Sequence, residues 1–461
     1  MLTVEKIGGT SMSQFGDVLE NIVFDSKDKE VRYGRIFVVS AYGGVTDMLL
    51  EHKKTGRPGI YQKFANGEDY EAGLDLLLER LKGLNSGFAD IGLNVEEADA
   101  FITDRIDKTR RFLYHMAEVM ATGYVARENI LSAARELLAS IGESHSGFNA
   151  ANIMNNNGVQ TVFVDLSGFH DTHSYSMDGR IQVCFKGIDL KKNVVIATGY
   201  TKSKEGIMRE FDRGYSEVTF SRVAVVLNVD EAIIHKEFHL SSADPKIVGR
   251  ENAIPVGQTN YDVADQLADV GMEAIHPKAS KPLETANINL RIKNTFEPDH
   301  PGTIISRDFK GVASKVDIVT GTPNIIMIDI HDSLMVGEVG IDLKIGEVLK
   351  KHDVSYIMKS TNANSITLGI WNNDKVAGIV AVLKEEFQVV DTLPAAIVCV
   401  IGSNIAQPGI LAKAAGLLSE NRINIICVSQ SMRQVNVQFV VEKEKFEDAI
   451  LCLNNSLCAG K

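Results

Sequence analysis

Residues 2–11 read Leu2-Thr3-Val4-Glu5-Lys6-Ile7-Gly8-Gly9-Thr10-Ser11, a strand-like run that ends in two glycines and two hydroxyls. Beyond that turn, Phe15, Val18, Leu19, Ile22 and Val23 recur at helical spacing. The phrase then returns. Arg35-Ile36-Phe37-Val38-Val39-Ser40 is a continuous apolar run of the interior-strand type, and Ala41-Tyr42-Gly43-Gly44-Val45-Thr46-Asp47 turns it into another helix. Strands that alternate with helices predict a mainly parallel sheet, because parallel neighbours need a crossover that covers a face. Apolar runs at 159–166, 194–200 and 223–229 are expected as further interior strands. The expected class is therefore α/β, with helices on both faces of the sheet. Residues 50–110, mostly helical in pattern and highly charged, read as an insertion carried on it.

After Pro301-Gly302-Thr303 the texture changes. A shift of 69 positions superposes Gly340-Ile341 on Gly409-Ile410, Leu349 on Leu418, Val354 on Ile423 and Ile357 on Ile426. It also brings Ser360 onto Ser429, Ile366 onto Val435 and Leu368 onto Val437. One offset held across strands and a helix predicts two copies of a small α+β unit. Copies of this size behind a catalytic-looking region read as regulatory or as oligomerisation scaffolding.

The 461 residues suffice for several domains, and 44% hydrophobic with 23% charged residues is an ordinary globular balance. A formal charge of -12 argues against nucleic acid or an anionic membrane as the main partner, since both reward a basic face. The five cysteines, Cys184, Cys399, Cys427, Cys452 and Cys458, form no CxxC pair, which reads as buried thiols in a reducing compartment. Met1 to Lys6 lacks the apolar stretch of a signal peptide, and no run approaches about 18 apolar residues. A cytoplasmic location is expected.

Four segments carry candidate chemistry. In Lys6-Ile7-Gly8-Gly9-Thr10-Ser11, glycines let backbone N–H groups approach an oxyanion, the helix start adds partial positive charge, and Lys6 can reach a phosphoryl group. It is not a Walker A loop, which places its Lys after the last Gly. Taken alone, such a turn is equally a structural one. Ser40 to Asp47 repeats the pattern and presents Ser40 and Thr46 at the carboxyl edge of the sheet, where α/β proteins bind ligands; both hydroxyls also suit helix capping. Glu143, in Ser140-Ile141-Gly142-Glu143, is either a solvated surface residue or a carboxylate for a substrate ammonium. Within Arg209 to Thr219, Arg213 offers a planar fork for a carboxylate, with Ser216 and Thr219 able to hydrogen-bond beside it.

Together, and in this order, these segments resemble the aspartate kinase branch of the amino-acid kinase family. Lys-x-Gly-Gly-Thr-Ser at residues 6–11 and Val-Val-Ser-Ala-x-x-Gly-Val-Thr at 38–46 are its specific marks. Gly142-Glu143 resembles the family's substrate Glu, and Ala243-Asp244-Pro245-Lys246 its nucleotide-side Thr-Asp-Pro-Arg. His276-Pro277 and the stretch from Ile292 to Thr303 resemble the end of its kinase domain, and the duplicated tail its pair of ferredoxin-like ACT domains. There are departures. The substrate loop Gly-Arg-Gly-Gly-Ser-Asp appears here as Asp212-Arg213-Gly214-Tyr215-Ser216-Glu217, Glu273 stands where a Lys is usual, and Ser241 where a Tyr is expected. These resemble the divergent kinases associated with ectoine synthesis.

The resemblance implies a catalytic domain at 1–305, a linker at 306–320 and ACT repeats at 321–388 and 389–461. It implies ATP and L-aspartate as substrates, with Mg²⁺ bound through the nucleotide phosphates. Lys6 would be catalytic, Gly8, Gly9, Thr10, Ser11, Asp244 and Lys246 would hold ATP, and Ser40, Thr46, Glu143, Arg213, Ser216 and Glu217 would hold aspartate. The ACT repeats would build a homodimer or larger homo-oligomer and bind an amino-acid effector near Met335, Gly340 and Asp342. Ile357 occupies the place of an acidic effector ligand, so weak or absent lysine inhibition is expected. The other readings are a kinase of another small carboxylate and a catalytically weak amino-acid sensor.

Overall fold

The computed structural model describes residues 1–24, 31–53, 55–211, 214–272, 274–312 and 315–458. Arg213 and Glu273 lie outside the described residues. The chain forms two compact units, Met1–His239 with His276–Gly302, and Leu240–Ile275 with Thr303–Lys461.

Strands are numbered along the whole chain. The first unit holds β1 (Thr3–Ile7), β2 (Arg35–Val39), β3 (Thr161–Val164), β4 (Val194–Thr198), β5 (Glu231–Lys236) and β7 (Asn289–Asn294), whereas β6 (Gln258–Asn260) and β8 (Thr303–Ser306) pair in the second. In the first unit the order is β3-β4-β2-β1-β5-β7, and every pairing is parallel. The middle strands are buried on both faces: Ile36 to Val39 and Val194 to Ala197 have almost no exposed surface. That is why they read as unbroken apolar runs and not as alternating ones.

Two expectations shift. The first helix begins at Gly9, inside the glycine turn, and the segment continues as Gly9–Ser13, Phe15–Val18 and a π-turn at Leu19–Val23. The run 223–229 is not a strand. Its first four residues finish the helix Tyr215–Val226, and the strand follows at Glu231–Lys236. Val223 and Ala224 are apolar because this helix packs on β1 and β2 and on the helix Pro277–Thr285. A short apolar run looks the same in a buried helix and a buried strand.

The helical insertion runs further than residue 110, through Ile60–Asn66, Glu71–Gly87, Val95–Thr122 and Arg127–Asn156. Every residue from Leu138 to Gly147 of the last helix is buried. Gly142 permits this, since a Cβ there would stand 2.6 Å from the Ala41 Cβ. The segment carrying Glu143 is thus interior, resting on the second glycine turn.

The second unit holds a six-stranded antiparallel sheet of β9 (Ile318–His331), β10 (Tyr356–Thr361), β11 (Ser365–Trp371), β12 (Val389–Ile401), β13 (Cys427–Gln430) and β14 (Asn436–Glu442). The order β10-β11-β9-β12-β14-β13 is mirrored about its centre. Each half adds two helices, Ile341–Lys351 with Val376–Glu386 and Ile410–Glu420 with Phe446–Leu457. The duplication extends to backbone conformation. Gly340 (φ 93°) and Gly409 (φ 100°) both precede a helix in the left-handed region, as do Asp353 (φ 52°) and Arg422 (φ 55°) after it. Ala243 and Val248 belong to the core of the second half, with Val398, Phe439 and Leu453. Among the described residues no helix is long and apolar enough to cross a membrane.

Candidate active site

Parallel register brings four strand ends to one edge of the first unit. Ile7 lies opposite Val39 and His235, and Val39 opposite Thr198. The chain therefore leaves the sheet there at Gly8, Ser40 and Gly199, while β5 runs one residue further, to Lys236. The two glycine turns touch: a Cβ on Gly9 would stand 2.6 Å from the Ala41 carbonyl oxygen, and Gly43 N–H donates to Ser13 Oγ at 2.9 Å. Gly8 faces open space, with nothing within 4 Å of where its Cβ would be. Thr10 is exposed beside it, whereas Ser11 turns inward, its Oγ 3.5 Å from Thr295 Oγ1. Thr46 is half-buried in the first turn of the helix Val45–Leu49.

Lys6 points its ammonium at Glu217 Oε1, 3.4 Å away, with side chains 13% and 14% exposed. Glu217 Oε2 accepts the backbone N–H of His276 at 2.7 Å. Burial alone would raise the Glu217 carboxyl, but Lys6, Lys236 and that N–H bring it below its usual value. The pair thus keeps Glu217 ionised and Lys6 aimed along the edge.

Glu143 is the opposite case. It is 3% exposed, and its Oε2 has no hydrogen-bond partner among the described residues. Burial pushes its carboxyl up to about 7, against the Tyr215 hydroxyl, the Ala41 N–H and the charge of Lys6, which pull it down. A buried carboxyl oxygen without a partner costs free energy unless a water, an ion or a ligand donor completes it.

Hydroxyls close the remaining side. Ser40 Oγ donates to Ser216 Oγ at 3.3 Å. Gly199 lets Ser216 approach, because a Cβ there would meet Ser216 Cβ and the Val39 carbonyl oxygen at 2.7 Å. Ser146, on the same helix as Glu143, donates to the Ser40 carbonyl at 2.8 Å and fixes the end of β2. Further along that helix, His145 Nε2 and Asn149 Nδ2 meet Asn85 Oδ1 at 2.7 and 2.8 Å, and Asn149 Nδ2 also donates to the Tyr42 hydroxyl at 3.2 Å.

Lys6, Gly8, Gly9, Ser40, Glu143, Ser216 and Glu217 are thus brought together, and Arg213 lies outside the described residues. Asp244 and Lys246 belong to the second unit, where exposed Asp244 caps the short helix Pro245–Val248 by accepting the Lys246 N–H at 2.9 Å. Met335, buried, and Gly340 and Asp342, exposed, lie in its first repeat, with Asp342 paired to Lys359 at 2.5 Å. Lys236, Ser146 and Tyr215 join the site without having been singled out for it. The signal for Lys236 lay in β5, which the expected strand at 223–229 concealed.

The family model described as "Amino acid kinase family" matches residues 1–294, and an ACT domain model matches residues 398–457. Aspartate kinase Ask_Ect of Stutzerimonas stutzeri (strain A1501) is 42% identical over 463 residues, covering 99% of this chain and 97% of the relative. Chloroplastic aspartokinase 1 of Arabidopsis thaliana is 26% identical over 74% of this chain and 63% of its own length. Among solved structures, the aspartate kinase of Clostridium acetobutylicum superposes with a TM-score of 0.76 at 23% identity, covering 99% of this chain and 100% of that one. E. coli aspartokinase III, in complex with lysine and aspartate, gives 0.71 at 19%, covering 99% of each. These two likenesses speak for the fold. The family match over the catalytic segment, and a 42% identical relative along nearly the whole length, show that the chain belongs to the amino acid kinase family, in its aspartate kinase branch, with an ACT region behind the kinase fold.

Proposed function

We propose that this chain transfers the terminal phosphoryl group of ATP to the side-chain carboxylate of L-aspartate, giving 4-phospho-L-aspartate and ADP. Glu143 carries the substrate assignment. Its buried, unbonded oxygen at the edge shared by Lys6 and Ser40 calls for an ammonium, and the α-ammonium of an amino acid supplies one. An aspartate side chain, with a reference pKa near ~3.9, is ionised at neutral pH and attacks without a general base. What remains for the protein is positioning and neutralisation of a loose phosphoryl transition state.

In this reading Lys6, held by Glu217, neutralises the transferring group, and Gly8, Gly9 and Thr10 cradle the phosphates, with Ser11 contributing through its backbone. Ser40, Thr46 and Ser216 orient the substrate, Arg213 takes its α-carboxylate, and Asp244 and Lys246 serve the nucleotide. Mg²⁺ would arrive bound through the nucleotide phosphates; among the described residues no group of three or more His, Cys, Asp or Glu could hold a metal ion. Bound there, it would offset the negative charge of the phosphates.

Residues 1–305 act as the catalytic segment, 306–320 as a connection, and 321–388 and 389–461 as ACT repeats that pair subunits and receive an effector near Met335, Gly340 and Asp342. Ile357 is buried and apolar, and offers no carboxylate to a lysine ammonium. Lysine at millimolar concentration should therefore inhibit less than about tenfold; stronger inhibition in an initial-rate assay would contradict that. The product would feed amino-acid or ectoine synthesis.

The test is ADP release across a panel of amino acids, with the intact chain and with Glu143→Gln. Turnover with aspartate alone, and a raised aspartate KM in the variant, support the proposal. Saturable aspartate binding without turnover would replace it with a sensor.

A further inference from the structure

One face of the sheet in the first unit carries a cavity of about 510 Å³, a size that takes a small ligand. Thr3 and Arg35, the first residues of β1 and β2, line it, so it lies toward the strand starts and away from Gly8 and Ser40. Its floor is polar: Glu5 from β1, His235 from β5 and Lys293 from β7 share this side of the sheet with Thr3 and Arg35. Its walls are apolar, formed by Ile233 and by Ile22, Val23 and Phe24 at the end of the first helical segment.

The buried Glu5 carboxylate is fully engaged. Its oxygens accept Arg35 Nε and Nη2 at 2.6 and 2.7 Å, the Thr3 hydroxyl at 2.8 Å and His235 Nε2 at 2.8 Å. These donors fill the lone-pair sites of a carboxylate, so a cationic ligand would find none open. Lys293 is the reverse case. Its half-buried ammonium donates to the Pro298 carbonyl at 3.0 Å and has no other hydrogen-bond acceptor among the described residues. Burial and the charges of Arg291, Arg35 and Arg32 hold it below its usual range, against the pull of Glu5. Of the charged side chains lining the cavity, Arg32, Arg35 and Lys293 are basic and Glu5 and Asp299 acidic, an excess of one positive charge in a chain of net charge -12.

We propose that this cavity binds a small organic acid, with its carboxylate on the Lys293 ammonium and its apolar body against Ile22, Val23, Phe24 and Ile233. A carboxylate carries the one charge that the lining leaves over, whereas a phosphate dianion exceeds it. Pairing also ends the cost of a half-buried ammonium held by a single carbonyl. Among the described residues, Lys6, Gly8 and Ser40 are not part of the lining, so the acid and the ligands of the catalytic edge use different groups.

The test is a fluorescence titration of the full chain with anilinonaphthalene sulfonate, a monoanion with an apolar body that brightens on binding. Benzoate should displace the probe, benzamide, its neutral isostere, should not, and ADP should leave it in place. Lys293→Met keeps the aliphatic stem and removes the charge. It should weaken both the probe and benzoate at least about tenfold, the size of one charge-assisted contact. Equal displacement by benzoate and benzamide would overturn the proposal, because apolar contact alone would then suffice. Stronger displacement by phenyl phosphate than by benzoate, displacement by ADP, or wild-type affinity in Lys293→Met would overturn it as well. The competitor comparisons use the wild-type chain and decide the matter even where the variant fails to fold.

Discussion

The helix Arg127–Asn156 and the Gly340 turn of the second unit treat their polar side chains in opposite ways. The helix buries Glu143, His145 and Asn149 and leaves Glu143 Oε2, His145 Nδ1 and Asn149 Oδ1 unmatched among the described residues. Burial lowers the His145 imidazole to about 3, so it sits there neutral. At the Gly340 turn, Asp342 is 63% exposed and already paired with Lys359. The positions 69 residues on, Leu411 and Val428, are apolar and exposed, although the backbone around them repeats. Duplication has preserved core and turns while the surface drifted. An interior helix has no such latitude. An unmatched buried polar atom costs roughly 1–3 kcal/mol and persists where something else completes it, whereas an exposed ion pair contributes about 0–1 kcal/mol.

This contrast can be broken by mutation, and the expected effects run from large to small. Lys6→Ala should lower kcat by about 100-fold or more, since it removes charge needed at the transition state. A near wild-type kcat would take Lys6 out of the chemistry.

Glu143→Gln should raise the aspartate KM at least about tenfold, the loss of one charge-assisted contact. It should also stabilise the ligand-free protein, with a definite pH dependence. The carboxyl of Glu143 is raised on folding from 4.5 to about 7, so the neutral form is the one the fold favours. Its contribution is full below the unfolded pKa and is lost as pH rises through the folded one. The variant should therefore gain stability relative to wild type between pH 4.5 and about 7, by on the order of 3 kcal/mol if the shift is fully expressed. Thermal melts at both ends of that window read the difference, and equal gains at both would refute the assignment of burial as the cause.

Ser146→Ala should cost about 1 kcal/mol, the net worth of one hydrogen bond, and loosen the Ser40 carbonyl. Its kinetic signature is a modest fall in kcat/KM for aspartate with the ATP KM retained. Asp342→Ala, on the surface of the other unit, should change stability by under about 1 kcal/mol and leave aspartate kinetics alone. A large kinetic effect there would show that the two regions are coupled.

Much of this was legible in the chain. The Gly8-Gly9 and Gly43-Gly44 turns follow strands whose apolar runs admit few readings, and parallel register then forces them to one edge. The fixed offset of 69 could be read because two cores and two left-handed glycines, Gly340 and Gly409, had to be kept. Three features could not be read locally. Residues 223–229 are apolar because a helix is sandwiched against the sheet, and periodicity in so short a run does not separate helix from strand. Glu143 looks like a surface residue beside a glycine, and its burial follows from Ala41 filling the space that Gly142 leaves. Tyr215 looks like an obstruction in a loop, yet it is buried, its ring edge to face with that of Tyr200 at a centroid distance of 6.0 Å. Such contacts are decided by packing and leave no mark in the local pattern.

The most direct test is chemical capture of the product. An acyl phosphate reacts with hydroxylamine to give a hydroxamate, so the chain incubated with ATP, Mg²⁺, aspartate and hydroxylamine should form aspartate β-hydroxamate in step with ADP. ADP released without hydroxamate, or hydroxamate formed equally well from other amino acids, would contradict phosphoryl transfer to the aspartate side chain.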